Sequence, residues 1–432
     1  MSGLAIPSQR FGSRAVGDAA GRNRLVLMAQ VAGLLLTNGQ TTEGTRVAVE
    51  RLGNALERPS RFTVRWGELM VWADDDPGGS HQVAEPLAVD ISKIVATERL
   101  VDDVCLGRLD ATEALPLLHA IGRMPPVSAV RFVIMAAAGA AALGIIFGAA
   151  DALTIGIIAA SAAAGACVRR AISHISRNPF AQPFLAALLA GGIGSAATAL
   201  ALPVSLRLVA VCPCMVLVPG PHFLNGMIDL ARARIPLGAS RLAFAGLVAV
   251  AISTGLLVGL SATTTSLPGD RATLPVPLAY DVCAAGVAIA AYGSFFNMHW
   301  RMILIPIGIG MCAHAIHWEL LRTGASVQFS AFVACLVVGT IMTLVSHRLR
   351  MPFGALAFAS VVSLIPGVFM FQTASEVLDL TNLDASMSLP SLTGIVRDGA
   401  TAALILLAMA SGLIIPKMCL DSQGSTGATR SG

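Results

Sequence analysis

Between residues 23 and 126 apolar side chains recur at short intervals, and beyond Pro125-Pro126 they merge into long runs. Leu25, Met28, Ala32 and Leu35 follow helical spacing, as do Val47, Val49, Leu52 and Leu56, with Asn38-Gly39 between them. That pattern predicts an αα-hairpin. Arg61 to Trp66 and Leu69 to Ala73 alternate apolar and polar residues across Gly67, and Asp74-Asp75-Asp76-Pro77-Gly78-Gly79 closes them off, which predicts short strands. Amphipathic helices near 89–106 and 111–122 carry Leu100, Val104, Leu115 and Leu118. A small α+β domain over 23–126 follows, behind a tail at 1–22 without an apolar core, read as disordered and not as a secretory signal.

The long runs fall near 127–149, 152–168, 181–202, 205–218 with a continuation, 240–262, 277–297, 302–319, 326–345, 353–371 and 394–415. Each is close to the about 17–25 residues that cross a bilayer. The expected fold is a polytopic α-helical membrane protein of about ten spans. Two runs are interrupted alike, at Leu217-Val218-Pro219-Gly220 and at Leu364-Ile365-Pro366-Gly367, 147 residues apart. Each break is followed at equal offsets by an amide and an acid, Asn225 with Asp229 and Gln372 with Glu376. Hydrocarbon does not tolerate the unpaired backbone of a broken helix, so such breaks belong against protein or a polar cavity. Paired breaks in corresponding halves are the mark of a transporter. Phe147-Gly148 and Phe295-Phe296 also correspond, at an offset of 148. Five spans per half force the second half to run upside down, giving inverted repeats over 127–262 and 277–415 and a tail at 416–432.

Composition agrees with the bilayer: 55% of residues are hydrophobic and 12% charged, against about 25% charged in soluble domains. The net charge of +4 is small, Lys93 and Lys417 are the only lysines, and nothing suggests nucleic-acid binding. The arginines report topology. With the soluble domain in the cytoplasm, inner loops hold Arg169, Arg170, Arg177, Arg232, Arg234, Arg241, Arg301, Arg348 and Arg350, while outer ones offer Arg207, Arg271, Arg322 and Arg397. This obeys the positive-inside rule, and the expected location is a bacterial cytoplasmic membrane with the first domain inside. Eight cysteines lack metal or disulfide spacing, and Cys212-Pro-Cys214 reads as packing. No cofactor or metal is expected.

Leu217-Val-Pro-Gly-Pro-His-Phe-Leu-Asn-Gly-Met-Ile-Asp229, followed by Gly238-Ala-Ser-Arg241, resembles the signature of the threonine/serine exporter family. The order of parts is similar too: a cytoplasmic domain opening on a helix pair, five spans, then a smaller five-span region ending in a second Pro-Gly motif. The family also occurs as two polypeptides, and this chain resembles their fusion. The resemblance implies export of threonine and serine driven by the proton motive force. Related two-polypeptide members imply dicarboxylates, succinate in particular, as the alternative substrate.

The residue chemistry is compatible with a zwitterion. N–H groups at the half-helix starts after Pro219-Gly220 and Pro366-Gly367 suit a carboxylate. Asn225 with Asp229, and Gln372 with Glu376, are four apart and share a helix face, offering acceptors to an ammonium. His222 follows the first break and is a polar lining group able to titrate near neutrality. Asp151, Asp281 and His314 are candidate proton-relay residues. No cation lies mid-span, which favours a zwitterion over a dicarboxylate. A hydrolase built on His81, His119 and Cys105 is the enzymatic alternative, disfavoured by the absence of a nucleophile motif. No nucleotide-binding loop is present. A channel is the other alternative. Gly191, Gly192, Gly194 and Ala196 allow close packing within one chain or in a homo-oligomer.

Overall fold

The structure, a computed structural model, describes residues 10–74, 76–263, 276–349, 353–382 and 388–428. It divides into two compact units, Met1–Pro125 and Pro126–Gly432.

The first unit opens with helices α1 (Arg10–Thr37) and α2 (Thr42–Ala55). An antiparallel sheet follows, β1 (Ser60–Arg65), β2 (Gly67–Ala73) and β3 (Asp76–Ala84) in spatial order 1-2-3, and then α3 (Ile91–Cys105) and α4 (Ala111–Gly122). Side chains of Thr41, Asp90 and Asp110 accept hydrogen bonds from backbone N–H groups at the starts of α2, α3 and α4, satisfying donors a helix leaves open there. Gly67 takes φ +87, the left-handed conformation that the tight β1–β2 connection needs. Leu35, Leu52, Leu69, Val71, Val101 and Leu118 meet in one core. Two differences from the sequence reading stand out. α1 begins at Arg10, inside the segment read as a tail, and residues 1–9 of that segment lie outside the described residues. Asp76–Ala84 is a third strand where Pro77-Gly78-Gly79 suggested only a turn.

The second unit is all helix: α5 (Ala129–Ile146), α6 (Ala152–Ile175), α7 (Ala181–Ala199), α8 (Leu206–Met215), α9 (Gly220–Ala231), α10 (Ile235–Leu260), α11 (Leu278–Phe295), α12 (Trp300–Arg322), α13 (Val327–Leu349), α14 (Phe353–Val361), α15 (Gly367–Asn382) and α16 (Ser388–Ala428). Among the described residues, eight helices are long and apolar enough to cross a bilayer, and two bent pairs bring the number to ten. α8 with α9 bends by 59°, and the helix ending at Leu364 bends against α15 by 58°. α16 runs on through the segment read as a tail as far as Ala428.

Packing in the two halves corresponds helix by helix. α5 packs on α6 as α11 does on α12, α7 on α10 as α13 on α16, and α9 on α10 as α15 on α16. The tightest of these rely on glycine. A methyl group at Gly255 would overlap the Phe184 carbonyl of α7, and one at Gly412 would sit 2.6 Å from the Phe332 carbonyl of α13. Small residues let backbones approach this closely, which is how helices gain contact where no hydrophobic effect drives them together. α5 meets α11 between the halves, with Phe132 edge-on to Phe295 at 5.1 Å.

Candidate functional site

The two Pro-Gly breaks meet. α9 packs on α14, and α8 packs on α15, so the half-helices of one broken span contact opposite half-helices of the other. Gly220 lies so close to the Phe358 ring of α14 that a side chain there would overlap it. A methyl at Gly367 would lie 2.9 Å from Met215 Cγ. The carbonyl of Met215, at the end of α8, accepts a hydrogen bond from the Tyr292 hydroxyl of α11 at 2.6 Å. Backbone opened by the break is thus partnered from the other half of the unit, as a low-dielectric surrounding requires.

The half-helix starts differ from the sequence expectation. Gly220 N–H donates to the Val218 carbonyl at 2.9 Å, His222 N–H donates to that of Pro219 at 3.1 Å, and Pro221 has no N–H. Gly367 N–H likewise donates to Ile365 at 2.8 Å. The turn at Pro219 uses the Gly220 and His222 donors, and the turn at Pro366 uses that of Gly367. The space beside the crossing is a cavity of about 340 Å³ with apolar walls, Phe223, Phe358, Ile365 and Leu406 among them.

The predicted polar residues gather on either side of the crossing instead. On α9, His222, Asn225 and Asp229 are buried along one face, spaced three and four residues apart. His222 stands edge-on to Phe244 of α10 at 5.0 Å. Asp229 meets Arg241 of α10, Oδ2 to Nε at 3.5 Å, with both side chains 1% exposed, and Arg234 approaches its other oxygen at 3.5 Å. On α15, Gln372 is buried and Glu376 is half-buried against Gly394 of α16, whose neighbour Arg397 pairs with the buried Asp398 at 2.8 Å. Each acid keeps to its own half, nine residues and about two and a half turns from the break.

Of the relay candidates, two come together and one stands apart. Asp281, in the first turn of α11, and His314 of α12 are buried and hydrogen-bonded, Oδ2 to Nδ1 at 2.9 Å. The His317 ring lies beside His314, 6.3 Å between centroids. Asp151 is exposed and caps α6, accepting from the Thr154 N–H at 2.7 Å. That bond holds its carboxyl below the usual carboxylate range. In the first unit, His81 pairs with Glu68 and His119 with Gln30, so the two histidines named for hydrolysis have separate partners.

Sequence reasoning missed three cations that lie within helices, of which Arg241 is fully buried. Arg241 lies within α10 and Arg169 and Arg170 within α6, although all three were read as loop residues. A signal was available: Gly238-Ala-Ser-Arg241 recurs as Gly394-Ile-Val-Arg397, each at the start of the helix that receives an acid from a broken span.

Comparison with known families gives two matches that do not overlap. Residues 26–263 match the model described as putative threonine/serine exporter, and residues 281–419 match that described as Threonine/Serine exporter, ThrE. The chain belongs to the threonine/serine exporter family. Its first match covers the first unit from residue 26 and the helices up to residue 263, and its second covers residues 281–419, so both broken spans of the exporter lie inside matched regions. No solved structure matches the chain.

In this exporter, Asp151→Ala is expected to leave transport unchanged and to lower stability by about 1 kcal/mol, the usual cost of a lost N-cap. Because the folded carboxyl titrates below its ordinary range, the cap contributes at neutral pH and its contribution is lost as pH falls through and below that range. Thermal unfolding at pH 7 and pH 3 checks this, and a transport defect at neutral pH would return Asp151 to the relay.

Proposed function

We propose that this exporter is a secondary transporter that carries threonine and serine out of the cell across the bacterial cytoplasmic membrane, its soluble unit inside, with proton entry driving the cycle. The observation that carries the reading is the crossing of the two broken spans. Two halves with matching internal packing, five spans each, are suited to rock against one another in opposite orientation, and the crossing is where such a motion changes access. The arginine distribution along the chain supports the orientation.

Asp281 and His314 support proton coupling. A carboxylate and an imidazole sharing one hydrogen bond in a buried site can take up a proton as a unit and release it when the site changes exposure. Asp229 with Arg241 offers both signs of charge to a zwitterion. The arginines are also the specific observation that favours a dicarboxylate, since each of its two charges needs a cation.

Labelled threonine, serine and succinate loaded into cells test the reading. Efflux of the two amino acids is expected to saturate and to collapse when the proton gradient is dissipated. Asp281→Asn is expected to cut gradient-driven efflux roughly tenfold or more, the scale of one lost charge-assisted hydrogen bond, while exchange of labelled for unlabelled substrate persists. Flux that neither saturates nor depends on the gradient would make the protein a pore, and efflux of succinate alone would make it a dicarboxylate exporter.

A further inference from the structure

Near its C-terminal end α6 carries Arg169 and Arg170 on the wall of a cavity of about 170 Å³. Both guanidiniums lie over the Phe132 ring of α5, 5.3 and 4.5 Å from its centroid. Arg170 Nη2 donates to the Val127 carbonyl at 2.7 Å. The Nε of each arginine is buried and has no hydrogen-bond partner among the described residues. Ser173, Gln182 and Asn297 complete the polar wall, and no acidic residue lines it. Neighbouring cations with buried, unsatisfied N–H groups and no carboxylate opposite them are costly unless an anion completes the site.

A second pocket shares the Arg169 side chain. It measures about 10 Å³ and also borders Ser161, Pro213, Val216 and Leu217, the last residues before the first break. That pocket has room for about one water, so the route is closed to anything larger until α6 and α8 part. The Ser161 hydroxyl there is buried without a partner among the described residues. A guanidinium edge presents two parallel N–H donors to a carboxylate, a match that a single ammonium does not make.

We infer that this cavity is the site where the carboxylate of an outgoing substrate is first bound, with Arg169 as the group that hands it toward the break. The inference rests on the exporter reading only for the direction of arrival. A phospholipid head group would bring an anion of another source, but it has no use for the second pocket between Arg169 and Leu217. The engaged N–H groups at Gly220 and His222 point the same way, since they leave the arginines as the better carboxylate donors.

The test uses the full-length protein in phosphatidylcholine vesicles, with and without added anionic lipid, and measures binding of threonine, succinate and threonine amide by calorimetry. Arg169→Gln is expected to raise the Kd for threonine and succinate at least tenfold, with Arg169→Lys recovering part of the loss and Gln182→Leu weakening binding several-fold. Threonine amide, which lacks the carboxylate, is expected to bind the wild type and Arg169→Gln equally. Arg170→Gln also removes the bond to Val127, so Arg169 and Gln182 carry the decision. Unchanged acid affinity in Arg169→Gln, an equal loss for the amide, or an effect confined to anionic vesicles would overturn the assignment. Wild type that binds acids with this dependence yet moves none across the vesicle defeats the exporter reading and leaves the site standing. Export that continues with unchanged acid affinity in Arg169→Gln does the reverse.

Discussion

Gly220→Ala is expected to abolish export although the protein still inserts, and Phe358→Leu in the same chain is expected to restore part of it. A β-carbon at position 220 would fall inside the Phe358 ring, and that ring is hemmed in by Phe296, 6.0 Å away between centroids. Relief of the overlap requires the Phe358 ring or α9 itself to shift at the crossing. Overpacking of this kind costs about 1–3 kcal/mol, and here it acts where the two broken spans touch and not at a peripheral contact. At about 1.4 kcal/mol per tenfold, the working arrangement of the crossing is depleted by roughly five- to more than a hundredfold. Leucine at 358 removes the colliding ring edge and keeps an apolar side chain, so recovery in the double variant ties the defect to that one contact. The readouts are gradient-driven threonine efflux and the amount of protein in the membrane. Normal efflux from Gly220→Ala would show that the crossing is slack and does not govern transport.

The crossing was legible in sequence because Pro-Gly within an apolar run forces a break: proline cannot donate to a helix ladder, and lipid cannot replace the missing bond. The acids were legible for a similar reason, as Asp229 follows the break at a spacing that keeps it on the face of His222 and Asn225. What pairs with Asp229 was not legible. Arg241 sits beyond a turn formed by Arg232, Ala233 and Arg234, and its neighbouring charges made the whole stretch look like a loop, whereas α10 already begins at Ile235. Arg169 and Arg170 were lost in the same way. Charge ends an apolar run, yet α6 continues to Ile175, and long side chains near a span end can cover an aromatic ring while keeping their heads polar. The engagement of the Gly220, His222 and Gly367 N–H groups was hidden for a different reason. A helix start has open donors only when the preceding turn does not use them, and turn geometry at Pro219 is not written in residue spacing.

Asp229→Ala is expected to lower stability by about 3–5 kcal/mol, the cost of leaving one member of a buried ion pair alone. Arg241 is 1% exposed, so bulk solvent does not reach it to stand in for its partner. Arg234 makes the loss worse, because it approaches the same carboxylate and becomes a second cation facing the vacated place. Asp229→Ala combined with Arg241→Leu removes both charges, and well-packed apolar replacements of buried pairs are often neutral, so most of the stability is expected to return. Export is not expected to return with it, because a zwitterion then lacks the buried acid for its ammonium and the Arg241 guanidinium for its carboxylate. A double-mutant cycle on unfolding in detergent gives the coupling, expected at about 1–3 kcal/mol for groups in contact, with threonine efflux measured on the same four proteins. Additive losses would mean that the pair is not felt across its 3.5 Å separation. Full export from the double variant would make the pair a clamp between α9 and α10 and take it out of the substrate's path.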